Sequence, residues 1–203
     1  MEKVKEVPYG VADFVTVMEQ NLYYVDKTMF IPELEKQPRN LFFIRPRRFG
    51  KSIFLSMLHS YYDCNQSAKF QSLFGKLWIG QHPTELQGKY QVLFLDFSQV
   101  SGNIDSLERN FDFYCSVKLD GFMRRYGEAY SEETREKVRK AEYAMDKLAF
   151  IHDEAAQKGF SLYLIVDEYD NFTNVVLNEH GEKVYHAITH ADGFYRDVFK
   201  KFK

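Results

Sequence analysis

The chain has little of several things, and each shortage excludes a class of protein. Only two of its 203 residues are cysteine. Cys64 and Cys115 stand apart, with no CxxC or Cys/His spacing beside either, so neither a disulfide framework nor a structural zinc site is indicated. Neither charge sign is in excess, since 27 Lys and Arg face 29 Asp and Glu for a formal net charge of -2. That balance leaves no domain-wide footprint for nucleic acid or an anionic membrane, so direct nucleic-acid binding is not indicated and any phosphate recognition has to be local. No apolar run approaches the ~20 residues that cross a bilayer, and the opening MEKVKEVPYG lacks the apolar stretch of a signal peptide. A cytoplasmic location without a membrane partner is therefore expected. There is no internal repeat and no low-complexity linker. What the chain does have is aromatic side chains, 19 Phe and 14 Tyr. Most of them fall on helical stripes or in apolar strands, which makes core packing a better reading than base stacking.

Patterning predicts an N-terminal helical segment, residues 1–38, packed on a core spanning 39–203. Phe14, Val17 and Met18 recur at helical spacing, Tyr23, Tyr24 and Val25 follow, and a short helix near 27–36 should end at Pro38. NLFFI at 40–44 suits a short strand buried on both faces. SIFLSMLHSYYD then places Phe54, Leu55, Leu58, Tyr61 and Tyr62 on one helical stripe. Residues 64–90 are less regular and contain Trp78. YQVLFLDFS reads as a second buried strand ending at Asp96. A long amphipathic helix runs from Ile104 through Leu107, Phe111, Cys115, Leu119 and Phe122 to Tyr126, closed by Gly127. SEET at 131–134 caps a further helix with the face Val138, Ala141, Met145, Leu148 and His152, and Gly159 lies just past its end. The strand FSLYLIVDEYD follows, and residues 173–203 read as mostly helical. Strands alternating with helices predict an α/β sandwich with a mainly parallel sheet.

The chemistry concentrates in two stretches. LFFIRPRRFGKS at 41–52 ends in Gly50, Lys51 and Ser52, which can supply the last turn of a phosphate loop, its lysine and a hydroxyl for Mg²⁺. The general spacing would place a glycine where this chain has Arg45, and Pro46 follows it. A side chain at Arg45 and the fixed φ of Pro46 stiffen the loop, while Arg45, Arg47 and Arg48 add positive charge where phosphates would arrive. For any single arginine a solvated basic face explains as much. Gly-Lys-Ser alone is a weak signal, strengthened here by its place between an apolar run and a helix. LYLIVDE supplies the second half, a strand ending in Asp167 and Glu168. A nucleotide site of this kind needs one carboxylate to hold Mg²⁺ and often another to orient water. Acids also simply mark where a strand emerges into solvent.

Four stretches in order, YYVDKT (23–28), RPRRFGKS (45–52), VLFLDFS (92–98) and DEYDNF (167–172), give the chain its resemblance to the bacterial AAA-ATPase-like family. These are P-loop proteins that commonly carry a PD-(D/E)XK nuclease-like portion further along. The arginine-proline opening of the loop is that family's own form. The resemblance implies a P-loop NTPase-like three-layer α/β sandwich, incomplete at its C-terminus. It implies ATP phosphates at the loop Arg45, Pro46, Arg47, Arg48, Phe49, Gly50, Lys51 and Ser52, Mg²⁺ on Ser52 and Asp167, and Glu168 with Lys51 as the catalytic pair. Asp96 and Tyr169 have less defined roles, and Asp170 either reaches the metal's surroundings or caps the next segment.

In P-loop proteins with an additional strand, a later strand bearing a polar sensor residue lies between the loop strand and the acidic strand. The sequence stops at Lys203 short of such a strand, so it reads as the N-terminal part of a longer protein. Its sheet would be left with a gap, rearranged, or completed by a strand from a partner, and self-association is a further expectation. The expected activity is Mg-ATP hydrolysis coupled to a conformational switch. The alternative is a nucleotide-responsive interaction module with little turnover, and a small-molecule phosphotransferase ranks below both because nothing marks an acceptor site. His186 and His190, four apart with Asp192 near, make at most an incomplete metal site.

Overall fold

Asp13 starts the first helix. Its extended backbone leaves the carboxylate free to accept the Thr16 N–H and hydroxyl, both at 2.7 Å, which satisfies an otherwise orphan donor at the start of α1, Phe14–Glu19. Burial works to raise the carboxyl pKa of Asp13, but hydrogen bonds from Thr16 and Ser56 outweigh it and the group is held below its ordinary value. The structure, a computed structural model, describes residues 5–44, 49–100 and 104–169, with Leu177 and Gly181. The chain falls into two compact units that divide between Tyr90 and Gln91.

In the first unit a 3-10 turn, Thr28–Phe30, leads into α2, Ile31–Glu35, and the chain re-enters a helix at α3, Lys51–Tyr62. A second 3-10 segment, Cys64–Lys69, precedes α4, Phe70–Phe74, and α5, Trp78–Gln81. The core is aromatic. Phe14 stacks on Phe74 at 4.9 Å between centroids and meets Tyr24 edge-on at 5.3 Å, while Tyr61 meets Phe74 edge-on at 5.5 Å. Such offset and edge contacts add about 0.5–1.5 kcal/mol per pair beyond area burial. The Ser56 hydroxyl accepts the Phe14 N–H at 2.9 Å, tying α1 to α3. The buried face of α3 is Phe54, Met57, Leu58, Tyr61 and Tyr62. Met57 replaces the expected Leu55, which is only half-buried.

Among the described residues the second unit holds a parallel two-stranded sheet that is not closed, β1 (Tyr90–Asp96) beside β2 (Ser161–Asp167). Three helices connect the strands: α6 (Ile104–Tyr126), α7 (Glu132–Lys140) and α8 (Ala144–Lys158). The other edge of β1 is closed by side chains of α6. The Val92 N–H donates to the Tyr126 hydroxyl at 3.1 Å, the Arg125 guanidinium donates to the Val92 carbonyl at 3.2 Å, and the Asp96 N–H donates to the Tyr114 hydroxyl at 2.6 Å. Residues two apart in a strand present their backbone groups to the same edge, so these bonds occupy the ladder positions another strand would need. Gly159 ends α8 at φ 73°, a left-handed cap.

Several expectations are corrected. Residues 40–44 form no strand, and Leu41, Phe42 and Ile44 are exposed. A strand exists only through its ladder, and among the described residues none reaches 40–44. The helix expected to run through Val138 and His152 is two helices, with Ala141 extended at ψ 131°. The Asp112 carboxylate accepts the Ala144 N–H at 2.9 Å and so starts the second one. His152 is consequently exposed, and Leu148, Ile151 and Ala155 form the buried face. Gly127 opens a 3-10 turn, Gly127–Ala129, and is not a left-handed cap. The helical expectation for 173–203 lies outside the described residues.

Candidate nucleotide site

Gly50 is the N-cap of α3 at φ 76°, ψ 30°, a left-handed conformation that glycine adopts without steric cost, and it brings no side chain of its own to the capping position. Lys51 and Ser52 are the first two residues of this 12-residue helix, both half-buried. A helix start of this kind directs backbone N–H groups and the positive end of the macrodipole toward an anion. Phe49 is exposed. Arg45, Pro46, Arg47 and Arg48 lie outside the described residues.

Within YYVDKT, Lys27 comes near this helix start while its neighbours Asp26 and Thr28 make structural bonds. Asp26 Oδ1 accepts the Thr28 N–H at 2.8 Å and the Thr28 hydroxyl at 2.7 Å, and Asp26 Oδ2 accepts the Trp78 N–H at 2.7 Å. The fully buried Thr28 hydroxyl in turn accepts the Ile79 N–H at 3.1 Å. Asp26 and Thr28 therefore pin the first turn of α5. Between them, Lys27 extends its ammonium toward Gly50, where a Cβ would lie 3.7 Å from Lys27 Nζ. The available signal was the Asp-x-Thr spacing, which favours a local side-chain turn. Nothing in it names the distant acceptors and donors.

In the second unit Asp167 ends β2 and is buried, at 5% exposure. Glu168 follows at φ 52°, and its N–H donates to Asp167 Oδ1 at 2.9 Å. Tyr169 is half-buried, and Asp170 lies outside the described residues. Asp96 ends the neighbouring strand, so both parallel strands deliver a carboxylate at their C-terminal ends, the usual ligand edge of an open α/β sheet. The Asp96 carboxylate is occupied as a cap, accepting the Ser98 N–H at 3.0 Å and the Gln99 side-chain amide at 3.2 Å.

Behind this edge, burial pushes the Tyr114 hydroxyl up to about 12 and the Cys115 thiol up to about 12, the latter helped by Asp112. Cys64 and Cys115 are both free thiols. Among the described residues no group of three or more His, Cys, Asp or Glu converges to hold a metal. His186, His190 and Asp192 lie outside those residues. Among the described residues no helix is long and apolar enough to cross a membrane.

Among the described residues the open parallel sheet and the helices packed with it make a mixed α/β protein, consistent with an incomplete P-loop-like fold. Residues 8–203 match the AAA-ATPase-like family, described as predicted AAA-ATPases, and the chain belongs to that family. It is thereby an ATPase-like, nucleotide-binding domain. Over 63 residues it is 43% identical to a protein of Azotobacter chroococcum mcd 1 described as an uncharacterized protein in the vnfD 5' region. That stretch is 30% of this chain and 12% of the relative, so the chain accounts for a small part of that protein's length. No solved structure matches the chain.

Proposed function

We propose that the chain binds Mg-ATP and that its binding and hydrolysis switch the conformation of attached parts of a longer protein. The observation that carries this reading is left-handed Gly50 opening α3 directly ahead of Lys51 and Ser52, with no side chain in the capping position. In this reading Gly50 and the first N–H groups of α3 receive the phosphates, Lys51 supplies a positive charge, and Arg45, Pro46, Arg47, Arg48 and Phe49 complete the loop. The residue types fit Mg²⁺, with the Ser52 hydroxyl and the Asp167 carboxylate as ligands. The ion, when bound, would neutralise phosphate charge. Glu168 orients the attacking water. Residues 1–38 serve as a helical segment packed on a core of 39–203, and the bond from Phe14 to Ser56 on α3 supports that arrangement. In this reading a nuclease-like portion is a candidate partner for the domain, the site of action is the cytoplasm, and the sheet is left with a gap, rearranged, or completed by a strand from a partner.

A second reading, a nucleotide-responsive module with little turnover, draws support from Glu168. Its backbone is left-handed, and its N–H takes up one oxygen of the Asp167 carboxylate that the first reading assigns to Mg²⁺. Calorimetry with Mg-ATP on the parent and on Lys51→Ala tests the binding step. Binding should be measurable in the parent and reduced at least about a hundredfold in the variant, the loss of a charge-assisted contact to phosphate. Equal binding by both overturns the phosphate assignment. Phosphate release by the parent and by Glu168→Gln separates the two readings. Turnover lost with ATP affinity retained supports hydrolysis, and no turnover in the parent supports the module.

A further inference from the structure

A cavity beside α2 lies within the first unit, and no residue of the nucleotide site described above lines it. Phe30, Glu33, Leu34 and Gln37 border it from the α2 segment, and Phe43 and Phe54 border it from the other side. Positions 30, 33, 34 and 37 are three, four and seven apart, the spacing that brings residues onto one helical face. The helix is anchored by other residues. Ile31 is its buried side chain, and Glu35 accepts the Tyr62 hydroxyl at 3.1 Å and the Thr84 hydroxyl at 2.8 Å. Phe30, by contrast, is exposed. Across the cavity Phe43 and Phe54 stack at 5.1 Å between centroids with their planes 19° apart. The polar groups sit on α2 and just beyond its end. Glu33 Oε1 holds the Lys36 ammonium at 2.7 Å, while the Gln37 side-chain N–H donates to the Glu33 carbonyl at 3.3 Å. That second bond fixes the Gln37 amide through its nitrogen and leaves its oxygen as an acceptor at the rim.

At about 210 Å³ the cavity is smaller than the ~300–1,000 Å³ that encloses a whole drug-sized ligand, so it suits one ring system and not a complete nucleotide. Three phenyl rings and a leucine offer flat apolar contact, and an amide oxygen at the rim accepts one hydrogen bond. That is the chemistry of a planar heteroaromatic ring bearing an amino group. The Phe54 N–H donates to the Gly50 carbonyl at 3.1 Å, which puts the cavity one helical turn, ~5.4 Å along the axis, from Gly50. We infer that this cavity receives the purine base of a nucleoside polyphosphate, with Phe30 stacked on the base and Gln37 Oε1 accepting from its exocyclic amine. The inference rests on the nucleotide reading given above and adds to it a site for the base.

The test is calorimetry of Mg-ATP and of magnesium tripolyphosphate, which has the phosphates without the base, on the parent, Phe30→Ala and Phe30→Tyr, with a thermal melt of each. Phe30→Ala should lose about tenfold in Mg-ATP affinity and keep parent-like affinity for tripolyphosphate. Its melting midpoint should stay close to that of the parent, since the ring is exposed, and Phe30→Tyr should bind Mg-ATP as the parent does. Parent-like Mg-ATP binding by Phe30→Ala overturns the base site and leaves the phosphate reading standing. Equal losses for Mg-ATP and tripolyphosphate also overturn it, because the effect would not depend on the base. No Mg-ATP binding by the parent overturns both.

A comparison of bases keeps the proposal testable if Phe30→Ala folds poorly. The parent should bind Mg-ATP about tenfold more tightly than its uridine counterpart, whose smaller ring stacks less. It should also prefer Mg-ATP about threefold or more over inosine triphosphate, which lacks the exocyclic amine, and Gln37→Leu should erase that second preference. A parent that binds all three nucleotides equally overturns the proposal.

Discussion

Glu168 and Gly50 share a left-handed backbone and differ in what it costs. At φ 52°, Glu168 holds a conformation that crowds its Cβ against the following carbonyl, worth about 1–2 kcal/mol for a residue with a side chain. Glu168→Gly should therefore raise stability by about 1 kcal/mol in urea denaturation while removing the acid assigned to water, and a variant less stable than the parent would show that the conformation carries no strain. The reverse holds at Gly50, where alanine should cost about 1–2 kcal/mol and place its methyl 3.4 Å from Ile53 Cγ2. A Gly50→Ala protein as stable as the parent would refute that. The helix start at Gly50, Lys51 and Ser52 and the strand end at Asp167 and Glu168 were legible as positions in the fold, because the patterns that mark them are local. Asp26 and Thr28 were not, because their structural partners, the N–H groups of Trp78 and Ile79, lie 52 and 51 residues away.

Helices α7 and α8 form a hairpin whose ends are tied by one buried carboxylate. Glu154 Oε1 accepts the Ser131 N–H at 2.7 Å, Oε2 accepts the Ser131 hydroxyl at 2.9 Å, and Lys158 Nζ lies 2.7 Å from Oε1. Burial pushes the Glu154 carboxyl pKa up, but hydrogen bonds from Lys158, Thr134 and Ser131 prevail and bring it down to about 2, from an ordinary 4.5. A carboxyl depressed by folding stabilises the protein fully above its unfolded value, and that contribution fades as pH falls from about 4.5 toward about 2. Glu154→Gln should cost about 1–3 kcal/mol near neutral pH and flatten the acid limb of a stability-against-pH curve, since hydrogen bonds to a charged group are lost. An unchanged acid limb would remove Glu154 from that role. The Ser131 cap was readable from SEET. The break before Ala144 was not, since the group that starts α8 is Asp112, 32 residues back on α6.

At the scale of the molecule, the mixed α/β class was legible from alternating periodicities, and so were β1 and β2, since a buried parallel strand is a continuous apolar run. The run at 40–44 has the same pattern without a ladder, and pattern alone cannot say whether hydrogen-bonding partners exist. Its consequence is an exposed apolar stretch, with Phe42 at 78% and Ile44 at 82% exposure. Such a stretch favours association between copies, so the parent should show concentration-dependent light scattering that Phe42→Lys with Ile44→Lys abolishes. A parent that stays monomeric at all concentrations refutes this. The chain has one tryptophan, and Trp78 opens α5 with its backbone N–H held by Asp26 and its ring stacked on His82 at 4.3 Å between centroids. The protein thus carries a built-in optical probe in one unit only. Indole emission will follow the melting of residues before Gln91, and any response of the Asp26–Thr28 turn to nucleotide, without a label and without interference from the other half.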